Sequence, residues 1–188
     1  MILRMSKGRL IVISAPSGAG KGTVIKRLLQ LRPQLNYSVS VTTRAPRAGE
    51  TEGVSYYFVT LGRFMEMIEN DEFLEYAQYI GEFYGTPKKR ILDCLERGCD
   101  ILLEIEVQGA RQIMELMPEA LTIFIIPPSM EELERRLRGR GTDSEEKLNA
   151  RLDRARLELE ERKFYSHIVV NDKITEAAEA ILSIVERK

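Results

Sequence analysis

A short glycine-rich loop between an apolar segment and a helical one limits most strongly how this chain can fold. Residues 10–13 are all apolar, and residues 14–23 read Ser-Ala-Pro-Ser-Gly-Ala-Gly-Lys-Gly-Thr. Small residues allow successive backbone N–H groups to turn toward one anion, a lysine adds positive charge, and the next helix directs its positive end to the same point. The pattern predicts a phosphate-binding loop after the first strand of an α/β fold.

This loop departs from the strict pattern G-x-x-x-x-G-K-[ST] at two positions. Ala15 replaces the first glycine, and Gly22 stands where a hydroxyl commonly binds a metal ion, so that Thr23 is the nearest hydroxyl. The way in which a metal ion would be held is therefore left open. The predicted nucleotide contacts are Ala15, Pro16, Ser17, Gly18, Ala19, Gly20, Lys21, Gly22 and Thr23.

Length and composition exclude several classes of protein. The 188 residues are 44% hydrophobic, which is enough for one compact domain with insertions. A net charge of -1 argues against a surface built to bind nucleic acid. No apolar run approaches the roughly 18 to 20 residues that a membrane span needs, and Cys94 and Cys99 lack metal or redox spacing. We expect a cytoplasmic protein with reduced thiols and no nucleic-acid or membrane partner.

Strand and helix patterns alternate along much of the chain. Apolar runs at residues 101–105, 121–126 and 167–170 are typical of buried parallel strands, and each is followed by a helical pattern. The fold class that we predict is α/β, with three layers, α/β/α, around a five-stranded parallel sheet.

Two stretches interrupt this alternation and are interpreted as insertions. Residues 37–90 contain short strand-like pieces and turn signals, which indicates a small mixed α/β lobe. Residues 131–162 carry many charges of both signs around a glycine hinge, which suits either a moving lid or a plain solvated helix pair. The core domain would then consist of residues 1–36, 91–130 and 163–188.

A second group of residues narrows the chemistry. Arg44 and Arg47 lie three residues apart on a predicted loop, and guanidinium groups offer paired donors that match phosphate oxygens. Farther along the chain, Tyr56, Glu75 and Tyr84 supply hydroxyls and a carboxylate within the same lobe. The combination predicts a clamp for a monophosphate.

Seven motifs in this order resemble the guanylate kinase family of P-loop nucleoside monophosphate kinases. They are found at residues 15–21, 40–47, 84–86, 104–109, 127–129, 138–142 and 170–172. The resemblance spans nearly the whole chain. It implies transfer of the terminal phosphoryl group of ATP to GMP, and to dGMP, in purine nucleotide metabolism, with Mg²⁺ bound mainly together with ATP and no metal site made by the protein alone.

The resemblance also implies a role for each matching residue. The GMP contacts would be Ser40, Arg44, Arg47, Tyr56, Glu75, Tyr84, Thr86, Glu104 and Glu106. The catalytic residues would be Lys21, Arg44, Arg136, Arg140 and Arg151, and Asn171 would border the adenine of ATP. Glu104 and Glu106 stand where the family commonly has aspartates. Three readings stay open for them: guanine contact, support of a metal-bound water, or simple exposure to solvent.

Glu75 leads to an expectation about specificity. An ionised carboxylate only accepts hydrogen bonds, so it would complement the donors at guanine N1 and the 2-amino group but would face a lone pair on adenine N1. Sites of this kind can reject the mismatched base by about 10⁴-fold or more. We therefore predict that GMP is preferred to AMP.

Two other functions fit parts of this pattern. The same scaffold could phosphorylate another small phosphate acceptor, although Ser40, Glu75 and Thr86 together favour guanine. A non-catalytic module resembling guanylate kinase could bind a phosphopeptide through the arginine pair, although such a module would not need Lys21 or an arginine-rich lid. Whether the protein is a monomer or a dimer is left open.

Overall fold

The structure of the protein is a computed structural model that describes residues 8–79, 81–139 and 144–187. The strands are β1 (Leu10–Ser14), β2 (Asn36–Ser38), β3 (Val41–Thr42), β4 (Tyr57–Phe58), β5 (Phe73–Tyr79), β6 (Glu82–Pro87), β7 (Ile101–Glu104), β8 (Leu121–Ile126) and β9 (His167–Val170). The helices are α1 (Lys21–Leu31), α2 (Leu61–Glu69), α3 (Lys88–Glu96), α4 (Val107–Leu116), α5 (Met130–Arg138), α6 (Glu145–Glu160) and α7 (Ile174–Glu186), with a 3₁₀ helix at Glu161–Phe164. Within the three described ranges, no helix combines the length and apolar character needed to cross a bilayer.

Five strands form the larger sheet in the order β2-β7-β1-β8-β9, which confirms the predicted α/β class with a five-stranded parallel sheet. All five residues of β1 are buried, as expected where helices cover a strand on both faces. The edge strand β2 has only three residues, and it pairs with β7, with Asn36 opposite Ile101. The predicted boundary between residues 36 and 37 falls inside this strand.

The smaller sheet has the order β4-β3-β6-β5 and mixes parallel with antiparallel pairs. It forms within the stretch in which the sequence predicts a mixed lobe. Its apolar side chains pack with those of α2 in a cluster of Val41, Phe64, Met67 and Phe73. Antiparallel pairing of β5 with β6 places Glu75 opposite Thr86, so two of the predicted guanine contacts become neighbours.

Helices α5 and α6 occupy the charge-rich stretch. The Ser129 side chain accepts a hydrogen bond from the Glu132 backbone N–H and so caps the start of α5. Ser144 caps α6 in the same way through Lys147. The apolar sides of both helices share a buried cluster of Leu133, Leu137, Leu148, Leu152 and Ala155.

The chain divides into two compact units. One consists of Met1–Ile11, Leu35–Glu104 and Gln108–Ala120, and it contains the smaller sheet. The other consists of Val12–Gln34, Ile105–Val107 and Leu121–Lys188, and it contains the glycine-rich loop, α5 and α6.

Candidate active site

Backbone geometry in the loop after β1 explains why glycines are needed there. Gly18 and Gly20 have φ angles of 91° and 85°, in the left-handed region where a Cβ atom is strained. Gly20 also caps α1, and its carbonyl accepts the backbone N–H of Thr23 at 3.1 Å. Ala15, Pro16 and Ala19 are buried, whereas Gly22 and Thr23 are exposed in the first turn of α1. The loop thus has the backbone form that gathers N–H groups at a helix start.

The Lys21 side chain lies against the backbone that follows β7. Its Nζ donates to the carbonyl oxygen of Ile105 at 2.7 Å, and the Ser14 hydroxyl donates to the same oxygen at 2.9 Å. The next residue, Glu106, is half-buried. Among the described residues, Lys21 is held by one neutral backbone oxygen, which a phosphate with full negative charge could replace.

Asn171 supports the loop from the end of β9. It is 3% exposed, its Nδ2 donates to the Ala19 carbonyl at 2.7 Å, and a Cβ atom on Gly20 would lie 2.6 Å from that nitrogen. Its Oδ1 is buried and accepts no hydrogen bond from any described residue. Arg136 donates to the Asn171 carbonyl at 2.9 Å and to Glu132 at 2.7 Å. Arg136 and Asn171, for which the resemblance implies different roles, are thus hydrogen-bonded to each other.

Helix α6 contacts the loop at Ser17. Arg151 donates to the Ser17 hydroxyl at 3.1 Å, and the Ser17 backbone N–H donates to the Glu158 carboxylate at 3.0 Å. The other Glu158 oxygen accepts from Arg154 at 3.0 Å. Ser17 N–H, one of the donors predicted for the nucleotide, is therefore bound to a side chain of the protein. Arg140, which the sequence also assigns to catalysis, lies outside the described residues.

The guanidinium of Arg44 lies among acceptors and aromatic rings. It donates to Glu50 at 2.8 Å and to the Ala45 carbonyl at 2.7 Å, and its central carbon is 5.4 Å from the centre of the Tyr56 ring. The hydrogen bond to Glu50 is the main cause of the raised pKa of Arg44, and Tyr84 raises that pKa further. The Arg47 side chain is exposed, and its backbone N–H donates to the second Glu50 oxygen at 2.7 Å. One carboxylate thus organises both arginine positions.

Tyr56 and Tyr84 lie near this arginine, and Glu104 lies near Tyr56. The rings of Tyr56 and Tyr84 meet edge to face with centres 6.0 Å apart. Burial, followed by the negative charge of Glu104, raises the pKa of Tyr56 to about 12, so its hydroxyl keeps its proton at neutral pH. Tyr37 donates to Glu104 at 3.1 Å, and burial together with this carboxylate raises the Tyr37 pKa well above its usual range. Glu104 therefore has a fixed hydrogen-bond partner.

Glu75 and Thr86 form a buried polar pair on the smaller sheet. They are 5% and 0% exposed, and the Thr86 hydroxyl donates to the Glu75 carboxylate in a short hydrogen bond. Ser40 is half-buried, and its carbonyl accepts the Tyr57 backbone N–H at 2.9 Å. A buried carboxylate is costly unless it is hydrogen-bonded, so this pair is a specific feature of the lobe rather than surface charge.

Comparisons with known proteins show which family the chain belongs to. The family model described as "Guanylate kinase" matches residues 7–188. A guanylate kinase of a Synechococcus strain is 50% identical over 96% of this chain and 83% of its own length, and that of Clostridioides difficile is 50% identical over 96% and 88%. The chain belongs to the guanylate kinase family. A crystal structure of guanylate kinase from Anaplasma phagocytophilum superimposes with a TM-score of 0.81 and 40% identity, covering 96% of this chain and 85% of that one.

Membership of the guanylate kinase family confirms the resemblance drawn from the motifs. Some residues at the site were not expected from the sequence: Glu50 beside Arg44, Tyr37 beside Glu104, and Glu158 at Ser17. Glu158 follows Arg154 by four residues, the spacing of an ordinary helical ion pair, and nothing in that spacing predicts a contact with a loop 141 residues away.

Proposed function

We propose that this chain transfers the terminal phosphoryl group of ATP to GMP and releases ADP and GDP. The choice of acceptor is carried by the buried pair of Glu75 and Thr86, in a chain that also has a phosphate-binding loop. A carboxylate that only accepts hydrogen bonds matches the two donors on the guanine edge and mismatches adenine. Guanosine and deoxyguanosine monophosphate share that edge, so dGMP is proposed as a second acceptor.

The ATP side of the proposal rests on residues 15–23. Backbone N–H groups after Ser17, together with Lys21, would bind the β- and γ-phosphates, because these donors converge at the start of α1. Asn171 would accept a hydrogen bond from the amino group of adenine, since its buried Oδ1 has no donor among the described residues. Burying an acceptor without a donor is unfavourable, which favours a role in ligand binding.

The GMP side rests on the cluster around Arg44. Arg44, Arg47, Tyr56 and Tyr84 would bind the GMP phosphate, and Ser40, Glu75 and Thr86 would bind guanine. Each charge-assisted hydrogen bond contributes about 1.5–3 kcal/mol. The protonated hydroxyl of Tyr56 is a donor, as phosphate binding requires. Glu104 and Glu106 would complete the acceptor site from the end of β7, with Tyr37 fixing the first of them.

Phosphoryl transfer depends on the positioning of the two substrates and on positive charge around the transferring group. It needs no covalent intermediate with the protein. Lys21 and the arginines of residues 131–162 would lie around the transferring group and balance its charge. Arg136, Arg140 and Arg151 are the residues proposed for this role. Residues 37–90 would act as the GMP-binding lobe, residues 131–162 as the lid, and the remaining segments as the core domain. Closure of the lid would keep water from the phosphate.

The donor set fits Mg²⁺ that arrives with ATP. Among the described residues there is no group of three or more His, Cys, Asp or Glu side chains that could hold a metal ion. Mg²⁺ commonly keeps several waters and binds one or two carboxylates plus substrate phosphates. Glu106 would be the carboxylate that supports its water shell, and the ion would neutralise negative charge on the phosphates.

Initial rates with GMP and with AMP test the proposal. Wild-type protein, supplied with ATP and Mg²⁺, should form ADP at least about 10⁴-fold more efficiently with GMP than with AMP, because adenine presents a lone pair where guanine presents a donor to Glu75. Glu75→Gln should lose most of that discrimination. Glu69→Gln, an exposed charge on α2, is the matched control and should behave like wild type. Equal use of GMP and AMP by the wild type would refute the choice of acceptor.

A further inference from the structure

The contact between Glu158 and the phosphate-binding loop is unusual for an anion-binding site. Ser17 N–H donates to one carboxylate oxygen of Glu158 at 3.0 Å, and the Glu158 side chain is 12% exposed. A carboxylate beside a loop that binds phosphates opposes their binding by repulsion between like charges. Its presence there needs a compensating role.

Arg154 removes most of that repulsion. Its Nε donates to the second Glu158 oxygen at 3.0 Å, which pairs the carboxylate with a cation on the same helix. Arg151, one turn earlier, donates to the Ser17 hydroxyl at 3.1 Å. Arg151 and Glu158 on one face of α6 therefore both contact Ser17, and Arg154 on the same face pairs with the Glu158 carboxylate.

The next residue of the loop, Gly18, packs against helix α5. A Cβ atom on Gly18 would lie 2.7 Å from Leu137 and 2.9 Å from Leu133, so this glycine packs directly on the buried cluster beneath α5 and α6. Helix α6 contributes to that cluster through Leu148, Leu152 and Ala155. Ser17 is thus held by side chains of α6, and Gly18 packs on Leu133 and Leu137 of α5.

We propose that Glu158 is a positioning residue for ATP binding, an inference that rests on the proposed function. By accepting the Ser17 N–H while pairing with Arg154, it sets the start of the phosphate-binding loop and holds α6 so that Arg151 reaches Ser17. The N–H donors of Gly18, Gly20 and Lys21 then have their binding geometry before ATP arrives, which lowers the entropy cost of binding, whereas the Ala19 N–H donates to the Pro16 carbonyl at 3.1 Å within the loop. Glu158 itself does not touch ATP.

Steady-state kinetics on two substitutions provide the first test. Glu158→Ala removes the acceptor, and we expect the KM for ATP to rise by about tenfold or more, the cost of one charge-assisted hydrogen bond, while the KM for GMP stays within about twofold. Glu158→Gln keeps an amide oxygen that can accept from Ser17, so its KM for ATP should lie between those of wild type and Glu158→Ala. Glu160→Gln removes an exposed charge two residues away on the same helix and should match wild type.

Amide hydrogen exchange without nucleotide gives a readout that does not depend on activity. Exchange at residues 17–20 should be about tenfold faster in Glu158→Ala than in wild type or Glu160→Gln, because the opening of the loop becomes easier. If wild type fails to phosphorylate GMP, the proposed function is wrong, and the exchange data still decide whether Glu158 braces the loop. Urea unfolding of each variant separates a local effect from loss of the fold, and the isosteric Glu158→Gln carries the test if Glu158→Ala does not fold.

Three outcomes would overturn the proposal. Tighter ATP binding in Glu158→Ala would mean that the carboxylate competes with phosphate. Values equal to those of Glu160→Gln, in both kinetics and exchange, would mean that the contact has no effect on the loop. A parallel rise in the KM values for ATP and GMP, with a matching loss of unfolding free energy, would mean that Glu158 only stabilises the fold.

Discussion

The glycine-rich loop and the arginine cluster are both suited to phosphate, but they are built from different groups. The loop uses backbone N–H groups whose directions are set by left-handed glycines, with φ angles of 91° at Gly18 and 85° at Gly20. The cluster uses the Arg44 side chain, held by Glu50 and by the Tyr56 ring. A backbone site is encoded in consecutive residues, whereas a side-chain site needs partners from several strands.

The two regions share one feature, a carboxylate of the protein that accepts hydrogen bonds from groups beside the proposed phosphate site. Glu158 accepts the Ser17 N–H in the loop, and Glu50 accepts from Arg44 and from the Arg47 backbone in the cluster. Donors that were left unpaired in a half-buried site would cost free energy in the absence of substrate. In both regions, carboxylates of the protein satisfy these donors. The regions differ in what sets the direction of the donors, which is the glycine backbone in the loop and side-chain partners in the cluster.

Removal of the Lys21 charge should give the largest effect. Lys21→Met is expected to lower turnover by about 10³-fold, since the transferred phosphate loses a positioned cation, while GMP binding changes little. Turnover measurements with isothermal titration of GMP would check this. Lys26→Met, an exposed lysine on the same helix, should keep wild-type turnover. A large loss of GMP affinity in Lys21→Met would mean that the two regions do not act separately.

A second substitution tests the arginine cluster. Arg44→Lys keeps the charge but loses the planar pair of donors, so kcat/KM for GMP should fall by about 10²-fold with the KM for ATP near its wild-type value. Arg63→Lys is the control, because Arg63 pairs with exposed glutamates in the same lobe. If Arg44→Lys keeps wild-type efficiency with GMP, the cluster is not the phosphate site.

Alanine at a glycine of each region compares their backbone requirements. Gly20 and Gly49 both have positive φ, but their surroundings differ. A Cβ atom on Gly20 would lie 2.6 Å from Asn171, whereas no atom of the described residues would lie within 4 Å of a Cβ atom on Gly49. Urea unfolding should show a loss of about 1–2 kcal/mol for Gly49→Ala from the left-handed backbone alone, and a larger loss for Gly20→Ala. Equal losses would contradict the tight packing of the loop.

The pH dependence of stability should change least. The hydrogen bond from Arg44 lowers the pKa of Glu50 below its ordinary value of 4.5. A carboxyl whose pKa is depressed in the folded state stabilises the fold above its unfolded pKa, and this contribution is lost as the pH falls through the folded value. Glu50→Gln should therefore be less sensitive than wild type to acid below about pH 4.5 in urea unfolding.

Part of that acid sensitivity should persist in Glu50→Gln. Arg135 and Arg136 hold the pKa of Glu132 at about 2, and this group has the same sign of pH dependence. Glu132→Gln would therefore remove a separate part of the slope at lower pH. Identical pH profiles for wild type and Glu50→Gln would show that the Arg44 contact contributes nothing to the folded state.

Elements with strong periodicity could be predicted from the sequence. Strands β8 and β9 occupy the predicted apolar runs at residues 121–126 and 167–170, and β7 ends one residue before the end of the run at residues 101–105. Short elements could not be located this way: β2 has three residues and its position depends on pairing with β7. Among the strand-like pieces predicted within residues 37–90, β4 has only Tyr57–Phe58, because turn hydrogen bonds at residues 51–56 take up the preceding backbone.

The phosphate-binding loop could be predicted because its glycines, lysine and helix are contiguous. The residues assigned to GMP came from the family resemblance, since no local rule links Glu75 with Thr86 or Arg44 with Tyr84. The carboxylates Glu50 and Glu158 were missed for a physical reason. A glutamate near arginines in sequence is most often part of a solvated ion pair, and only the fold shows that these two reach the donors of the site.

A labelled phosphoryl group would show directly whether the chain transfers phosphate from ATP to GMP. With ATP labelled at the γ-phosphate, Mg²⁺ and excess GMP, the label should appear in the β-phosphate of GDP, and one GDP should form for each ADP. Release of the label as inorganic phosphate, or GMP binding with no transfer to any acceptor, would contradict it. The second result would favour a binding module over an enzyme.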